Sequence, residues 1–366
     1  MNKKKSGKEL RWEFLTELLN LHGPAGREGP VQRRWLEYVR AVADETGSDA
    51  YGNAFAVLNP GAGRRVLVVG HADEIGYQVR FVSKEGFLYV GRIGGTDAGM
   101  ARGQRVLVHG ERGTVSGVFG SLPVHLKNAS TEQLPKVHEL FVDIGADGEA
   151  DARKRVRVGD AITLNCGVEK LTGKVWSTRA ADNRVGIWAA AEVLRRCARK
   201  GVKVCVVAVS TIQEENGLYG AAMVGQSLNA SAAVVVDVGH ATDTPLCDFK
   251  RDGEVALGKG PVISRGSVNH PVLVSGLERA ARRAGIDYQL AVDGRASGTD
   301  ADAIFRQKGG IPSAVVSLPL RYMHSTVETF NVSDLDNLAD LITHYLVALK
   351  RDENFAVGGS KTKAEN

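Results

Sequence analysis

The sequence has 366 residues, of which 43% are hydrophobic and 24% charged, and its four cysteines form no CxxC pair. This composition supports a large buried core in one or two domains, and no run of 18 apolar residues suggests a membrane span. The formal net charge is only +5, and the basic clusters Lys3–Lys5 and Lys361/Lys363 lack interleaved aromatic residues, so we expect neither a nucleic-acid nor a membrane partner.

The first 75 residues predict two amphipathic helices followed by a buried strand. Apolar residues recur at helical spacing over Leu10–Leu19 and again over Val31–Val42. Three charged residues within Leu10–Leu21 exclude the uncharged core of a signal peptide. Val66–Val69 is a continuous apolar run of the kind found in buried strands. Together with the unpaired cysteines, these features indicate a cytoplasmic protein without disulfides.

Residues 76–167 change to a pattern of short strands and turns with little helical period. Two hairpins are expected, each with a glycine-containing turn between two apolar runs. The strands predicted here are Tyr77–Val82, Phe87–Val90, Arg105–His109, Gly113–Val118, Val156–Val158 and Ala161–Leu164. The segment therefore predicts a small all-β domain.

From about Leu171 onward, strands and helices alternate. The expected strands are Val202–Val209, Ala232–Val236, Tyr288–Val292 and Ala314–Leu318. The expected helices run through Val185–Val193, Leu218–Leu228, Val272–Ala280 and Leu335–Leu349. Ser333 with Asp336 fits an N-terminal capping pattern for the last helix.

The opening helices and their strand need a sheet to join, and the later α/β segment supplies one. We therefore predict an α/β fold in which residues 1–75 and 168–354 form one domain. Residues 76–167 would be inserted in its middle, and residues 355–366 would be a flexible tail. Two sequential domains divided near residue 170 are the alternative.

Histidines and carboxylates stand at five places where strands end or helices begin. These residues are His71, Asp73, Asp182, Glu214, Glu215, Asp237 and His324. In an open α/β sheet, ligands bind beyond the carboxyl ends of the strands. The seven side chains are therefore expected to gather at one edge of the sheet.

Each of these residues also has an ordinary structural explanation. Asp182 could cap a helix, and Glu214 and Glu215 could be first-turn acids that favour a helix dipole. Asp237 is harder to explain in this way, because it follows Val234–Val236 and a buried carboxylate needs a partner such as a cation. Imidazole and carboxylate ligands suit zinc-like ions, and two such ions could share a bridging carboxylate. One acid would then be left over as a general base.

At this point the chain resembles the M42 metallo-aminopeptidases, the tetrahedral aminopeptidases of which some members carry endoglucanase labels. The resemblance covers nearly the whole chain. It rests on motifs in a fixed order: Gly70–Gly76 (GHADEIG), Ala181–Gly186 (ADNRVG), Gln213–Gly217 (QEENG), Asp237–Pro245 (DVGHATDTP), Leu257–Pro261 (LGKGP), Gly298–Ala301 (GTDA) and Arg321–His324 (RYMH). It implies a mixed sheet flanked by helices, with a β-barrel-like insertion for dimerisation and substrate access.

The resemblance also implies two divalent metal ions per subunit, zinc or cobalt, with manganese as a further option. Asp182 would bridge both ions. His71 and Asp237 would complete one site, and Glu215 and His324 would complete the other.

The remaining site residues would act around this centre. Glu214 would be the general base, and Asp73 would orient His71. The peptide bond between Asp182 and Asn183 would be strained or cis.

We therefore predict a binuclear aminopeptidase that removes N-terminal residues from short peptides. A deacylase on the same scaffold and a non-catalytic metal-binding particle are the alternatives, and glycoside hydrolysis ranks below them. The resemblance implies a homo-oligomer, a dodecamer built from dimers, with a dimer as the fallback. Asn216, Tyr219 and Leu246 depart from the usual family pattern, which leaves the preferred N-terminal residue open.

Overall fold

The computed structural model describes residues 7–127 and 133–357. The basic clusters at positions 3–5 and 361/363, and most of the predicted tail, lie outside these ranges. The helices are α1 (Gly7–Asn20), α2 (Gly29–Val39), α3 (Ala98–Ala101), α4 (Glu149–Arg155), α5 (Ala181–Lys200), α6 (Tyr219–Ser227), α7 (Phe249–Asp252), α8 (Pro271–Ala284), α9 (Ala301–Ile304) and α10 (Val332–Ala348).

The strands fall into two main groups and one short sheet. They are β1 (Glu45–Ser48), β2 (Ala54–Leu58), β3 (Arg65–His71), β4 (Gly76–Val82), β5 (Leu88–Ile93), β6 (Arg105–Gly110), β7 (Gly113–Phe119), β8 (Phe141–Asp143), β9 (Ala161–Leu164), β10 (Glu169–Lys170), β11 (Val175–Thr178), β12 (Cys205–Thr211), β13 (Ala232–His240), β14 (Val262–Arg265), β15 (Gln289–Val292), β16 (Ser313–Leu320) and β17 (Glu328–Asn331).

An eight-stranded mixed sheet forms the centre of the molecule, in the order β1-β2-β12-β3-β13-β16-β14-β15. The four central strands β12, β3, β13 and β16 run parallel to one another, whereas β2 and β14 lie antiparallel beside them. Strands β3 and β12, and the first seven residues of β13, are mostly apolar and almost wholly buried, because helices cover both faces of the sheet. The predicted α/β fold, with a mixed sheet flanked by helices, is confirmed.

Helix α5 lies against the centre of this sheet and is itself buried along most of its length. Its small residues allow the close approach: a Cβ added at Gly70 of β3 would lie 2.5 Å from the carbonyl carbon of Gly186. Backbone therefore contacts backbone where β3 passes the start of α5. Helices α1, α2, α8 and α10 pack on the same side, and α6 and α9 cover the opposite face.

Six strands between Gly76 and Leu164 close into a small barrel, in the order β4-β5-β8-β7-β6-β9. Both predicted hairpins are present, β4 with β5 and β6 with β7. The strand expected at Val156–Val158 is wrong, because that segment follows the short helix α4. Acidic residues at the start and basic residues at the end of α4 complement the helix dipole. The prediction used only the apolar residues and therefore missed this helix. The exact division into domains stays a prediction.

Two further differences concern the ends of elements. Asn331, rather than Ser333, caps α10, and its side chain accepts the Ser333 N–H at 2.8 Å. Asp336 instead pairs with Arg11 and Arg196, which tie α10 to α1 and α5. Strand β1 and the small sheet β10-β11-β17 lacked an apolar run long enough to be predicted. Strand β2 was not predicted, although its five consecutive apolar residues (AFAVL) favour a buried strand. No helix in residues 7–127 and 133–357 combines the length and apolarity that a bilayer crossing requires.

Candidate metal centre

The register of the parallel strands brings the first candidate residues to one level. His71 ends β3 and lies beside Thr211, the last residue of β12. Because Val235 of β13 pairs with Val69 of β3, Asp237 lies level with His71 on the other side. The apolar run predicted that Asp237 would follow its strand, but β13 continues through His240. The Asp237 carboxylate is therefore supported by strand backbone rather than by a loop.

Asp182 stands at the start of α5 and lies between the two candidate histidines. Its peptide bond to Asn183 is cis, as the family resemblance implied. One carboxylate oxygen, Oδ1, is 3.1 Å from His71 Nε2, and the other, Oδ2, is 3.3 Å from His324 Nε2. The two oxygens of a single carboxylate thus face two different imidazoles, which is the arrangement a bridging ligand needs.

The other carboxylates surround the same two histidines. Glu215 Oε2 is 3.5 Å from His324 Nε2, and Asp237 Oδ1 is 3.9 Å from His71 Nε2. Glu214 Oε2 is 3.8 Å from the same nitrogen of His71. The structure therefore brings together all five residues predicted as metal ligands and, with them, the predicted general base.

Two groups of donor atoms in the described ranges are compact enough to hold an ion. One combines His71, Glu214 and Asp237, and the other combines His71, Asp182 and Glu215, with all donor atoms of a group within 4.8 Å of one another. Imidazole nitrogen with carboxylate oxygen is a donor set suited to zinc and similar divalent ions. Glu215 Oε1 is buried and has no hydrogen-bond partner, so the residues fit a bound cation.

Asp73 explains how two adjacent glutamates can face one centre. Its Oδ1 accepts the N–H of Glu214 and its Oδ2 accepts the N–H of Glu215, each at 3.1 Å. The same Oδ1 lies 3.3 Å from His71 Nδ1. A single carboxylate that is fully buried thus holds the glutamate backbone and the histidine ring together.

The His324 side of the centre is held by two groups that sequence analysis missed. Glu328, which is 2% exposed, accepts the N–H of His324 at 2.9 Å and that of Asp182 at 3.1 Å. The imidazole donates from Nδ1 to the carbonyl of Gly95 at 3.1 Å, which leaves Nε2 free as a ligand. Gly95 follows β5, so the barrel contributes directly to the centre. Glu328 could have been suspected as an acid four residues after His324, whereas nothing in the local sequence marks Gly95.

A third missed group is Asp300, within the motif Gly298–Ala301. Its Oδ2 accepts the hydroxyl of Thr211 at 2.5 Å, and its other oxygen is buried without a partner. Burial raises the pKa of Asp300 to about 6, and the His71 imidazole opposes that rise. Asp300 is therefore a further buried carboxyl group beside Thr211, the strand neighbour of His71.

Burial dominates the electrostatics of the clustered acids. It raises the pKa of Glu214, against the lowering effect of His71 and with a further rise from Asp237. It also raises the pKa of Asp237 well above its usual value. Hydrogen bonding to Asp182 is the largest cause of the raised pKa of His324. Within the described ranges no Lys or Arg nitrogen lies within 4 Å of Asp182, Glu214, Glu215 or Asp237, so the centre gathers negative charge that a cation would offset.

The centre lies in a cavity of about 960 Å³. The cavity extends from the histidines towards α7, β14 and β15, and Asn216 is among its lining residues. Leu246, another departure from the family pattern, is 93% exposed. The site therefore has room for more than the ions alone.

Comparison with known proteins gives consistent results. A sequence model described as M42 glutamyl aminopeptidase matches residues 52–341. The chain is 33% identical over 337 residues to a putative aminopeptidase of Acetivibrio thermocellus, covering 91% of this chain and 98% of that protein.

Solved structures agree with the sequence comparison. A TET aminopeptidase from a marine sediment archaeon, Thaumarchaeota archaeon SCGC AB-539-E09, has a TM-score of 0.89 and 30% identity, covering 94% of this chain and 98% of that one. The TET1 peptidase of Pyrococcus horikoshii, described as assembling into a tetrahedron or a large octahedral shell, has a TM-score of 0.83 and 29% identity, covering 93% and 100%.

Proposed function

Because this chain belongs to the M42 family and is a peptide hydrolase of the aminopeptidase type, we propose that it removes N-terminal residues from short peptides with two divalent ions. The observation that carries the two-ion proposal is the Asp182 carboxylate, whose oxygens face His71 and His324 separately. In this proposal His71 and Asp237 would hold one ion, Glu215 and His324 would hold the other, and Asp182 would be shared between them. Zinc or cobalt suits this donor set, and manganese is a further option.

The chemistry is divided between the ions and the protein. When bound, the ions would polarise the scissile carbonyl, lower the pKa of the attacking water and offset the negative charge gathered here. Glu214 takes the proton from that water and passes it to the leaving amine. Asp73 positions Glu214 by accepting the backbone N–H of Glu214, and it orients the His71 ring. The position of Glu214 supports this role, because its Oε2 lies 3.8 Å from Nε2 of the proposed ligand His71.

The same proposal extends to assembly. We propose that residues 1–75 and 168–354 form the catalytic domain, and that residues 76–167 form a dimerisation and substrate-access domain. We further propose a cytoplasmic homo-oligomer, a dodecamer built from dimers, which the described tetrahedral assembly of the TET1 peptidase supports. Native mass spectrometry of the metal-loaded protein tests this, and a stable monomer would contradict it.

The substitution Glu214→Gln tests the mechanism. It is expected to lower kcat for aminoacyl substrates at least about 100-fold, because general-base catalysis contributes roughly 10²–10⁴. The metal content per subunit should not change. Glu169→Gln, at an exposed position in β10, is the matched control and should retain full activity.

Two results would count against the proposal. Loss of an ion together with activity in Glu214→Gln would make Glu214 a ligand rather than the base. Equal hydrolysis of free and N-acetylated peptides would favour a deacylase, since an aminopeptidase needs the free amine.

A further inference from the structure

Asp293 lies on the wall of the cavity, outside the proposed metal ligands. It directly follows β15, and its N–H donates to the carbonyl of Arg265 at 2.9 Å. Its Oδ2 accepts a hydrogen bond from Asn269 Nδ2 at 3.0 Å. Asn269 is itself fixed, because its Oδ1 accepts the N–H of Val315 in β16 at 2.8 Å. Strands on two sides therefore hold this carboxylate in place.

The charge of Asp293 has no cationic partner in the described part of the chain, where no Lys, Arg or His nitrogen lies within 4 Å of it. Burial raises the pKa of Asp293, while hydrogen bonds from Asn269 and Ser264 oppose that rise. Its neighbour Asp302 is satisfied by the N–H groups of Ser297 and Gly298 and supplies only further negative charge. Asp293 is thus a half-buried carboxylate with neutral partners only.

Among the described residues that line the cavity, the single arginine is already neutralised. Arg251 binds Asp252 through two hydrogen bonds, Nε to Oδ1 at 2.6 Å and Nη2 to Oδ2 at 2.8 Å. The Arg251 side chain is also 72% exposed, so water screens its charge. An anionic group that entered the cavity would therefore meet a compensated arginine and an uncompensated aspartate.

Strands β14 and β15 give this wall an apolar stretch, beside polar lining residues such as Ser264, Ser297 and Thr299. Val262 of β14 is buried, while Leu290 and Val292 of β15 present partly or mostly exposed side chains. Val255 and Met323 continue the lining. An apolar wall ending in a carboxylate fits a side chain with a methylene stem and a cationic end, because such side chains bury the stem and pair the charge.

We propose that Asp293 is a specificity-determining residue that makes the enzyme prefer peptides with an N-terminal lysine or arginine. The proposal rests on the aminopeptidase function proposed above and names its substrate class. An ammonium or guanidinium group pairs with the Asp293 carboxylate, whereas a glutamyl or aspartyl side chain would be repelled by it. An apolar residue such as leucine would fit the wall but leave the carboxylate without a partner.

The test compares kcat/KM of the metal-loaded protein for lysyl, arginyl, leucyl and glutamyl p-nitroanilides. We expect the basic substrates to be preferred over the glutamyl one by at least about 100-fold. The isosteric Asp293→Asn should lower kcat/KM for the basic substrates roughly 10- to 100-fold, the usual effect of leaving one charged partner unpaired. The leucyl substrate should change less than about 3-fold, which also shows that the variant is folded. Arg251→Gln is the control and should leave the ratio of basic to acidic substrates unchanged.

The outcomes separate this inference from the function on which it rests. If the wild-type enzyme prefers leucyl or glutamyl substrates and Asp293→Asn does not alter the ranking, Asp293 is not the specificity residue although the aminopeptidase function stands. A glutamyl preference that disappears in Arg251→Gln would assign recognition to Arg251 instead. If no substrate is hydrolysed, the proposed function fails and this inference fails with it.

Discussion

The substitution Gly95→Ala tests how the barrel supports the metal centre. Gly95 accepts a hydrogen bond from His324 Nδ1, and an added Cβ would lie 2.9 Å from that nitrogen and 3.1 Å from Cε1 of the same ring. The 2.9 Å contact is shorter than real Cβ contacts allow, so the imidazole must shift. Gly95 has no left-handed φ, so the backbone accepts alanine and the effect comes from the ring alone.

The expected result is selective loss of the ion held by His324. Losing an outer partner of a metal-binding histidine typically weakens the metal about 10- to 100-fold, which corresponds to roughly 1.4–2.7 kcal/mol. Titration of the metal-free protein should show one binding step weakened by this factor and the other unchanged. Elemental analysis after dialysis should approach one ion per subunit instead of two. Activity should fall in parallel with the lost ion.

A matched variant separates this effect from general damage. Gly61→Ala adds a Cβ with no atom within 4 Å, also at a position without a left-handed φ. It should bind metal as the wild type does. If Gly95→Ala retains both ions with unchanged affinity, the contact between the barrel and His324 does not position the ligand, and the reasoning is wrong.

Three further predictions concern the stability of the fold. Glu74→Gln should destabilise the metal-free protein by about 3–5 kcal/mol in urea unfolding, because it leaves the buried guanidinium groups of Arg179 and Arg184 without their carboxylate. Glu149→Gln, which breaks the exposed pair with Arg153, should lower the free energy of unfolding by less than about 1 kcal/mol. If both substitutions lower it equally, burial does not set the strength of the Glu74 pairs. Burial lowers the pKa of His22 to about 4. Below pH 6.5 the imidazole therefore binds a proton in the unfolded chain but stays neutral in the folded chain. The free energy of unfolding should fall from pH 6.5 towards pH 4. The shift from 6.5 to about 4 corresponds to at most about 3.4 kcal/mol, reduced by partial exposure to roughly 1–2 kcal/mol. A His22→Gln variant whose unfolding has the same pH dependence as the wild type would refute this prediction. Removal of metal with a chelator should lower Tm, and each ion restored at about 100 times its Kd should return about 2.7 kcal/mol; identical melting curves with and without metal would exclude a structural metal site.

Much of the fold could be predicted because its elements carry strong local patterns. The apolar run Val66–Val69 and the helix through Trp188 both appear in the structure, where both are buried. The segment Val156–Val158 shows the limit of this reasoning. Its alternating valines resemble a strand, but in the structure the segment is the loop and turn that follow α4. The charges at the two ends of α4 favour that preceding helix.

The candidate site was predicted to a similar extent. The sequence motifs named all seven histidines and carboxylates, and the structure places them around His71 and His324. The groups that orient them were not named, because Glu328 and Gly95 act through backbone contacts between segments far apart in the chain. The Asp237 carboxylate was expected in a loop, and only its pairing with Ser317 shows that it is part of a strand.

The sequence by itself determined which chemical groups are present and which elements carry them, because side-chain type and apolar period are local properties. The tertiary structure alone decided their distances. Register between β3, β12 and β13 sets His71 and Asp237 at one level, and Asp73 turns two adjacent glutamates towards one centre. It also decided that Asp293 lines the cavity and has no cationic partner among the residues the structure describes. Such pairings depend on which segments meet in space, and no local pattern in the chain encodes that.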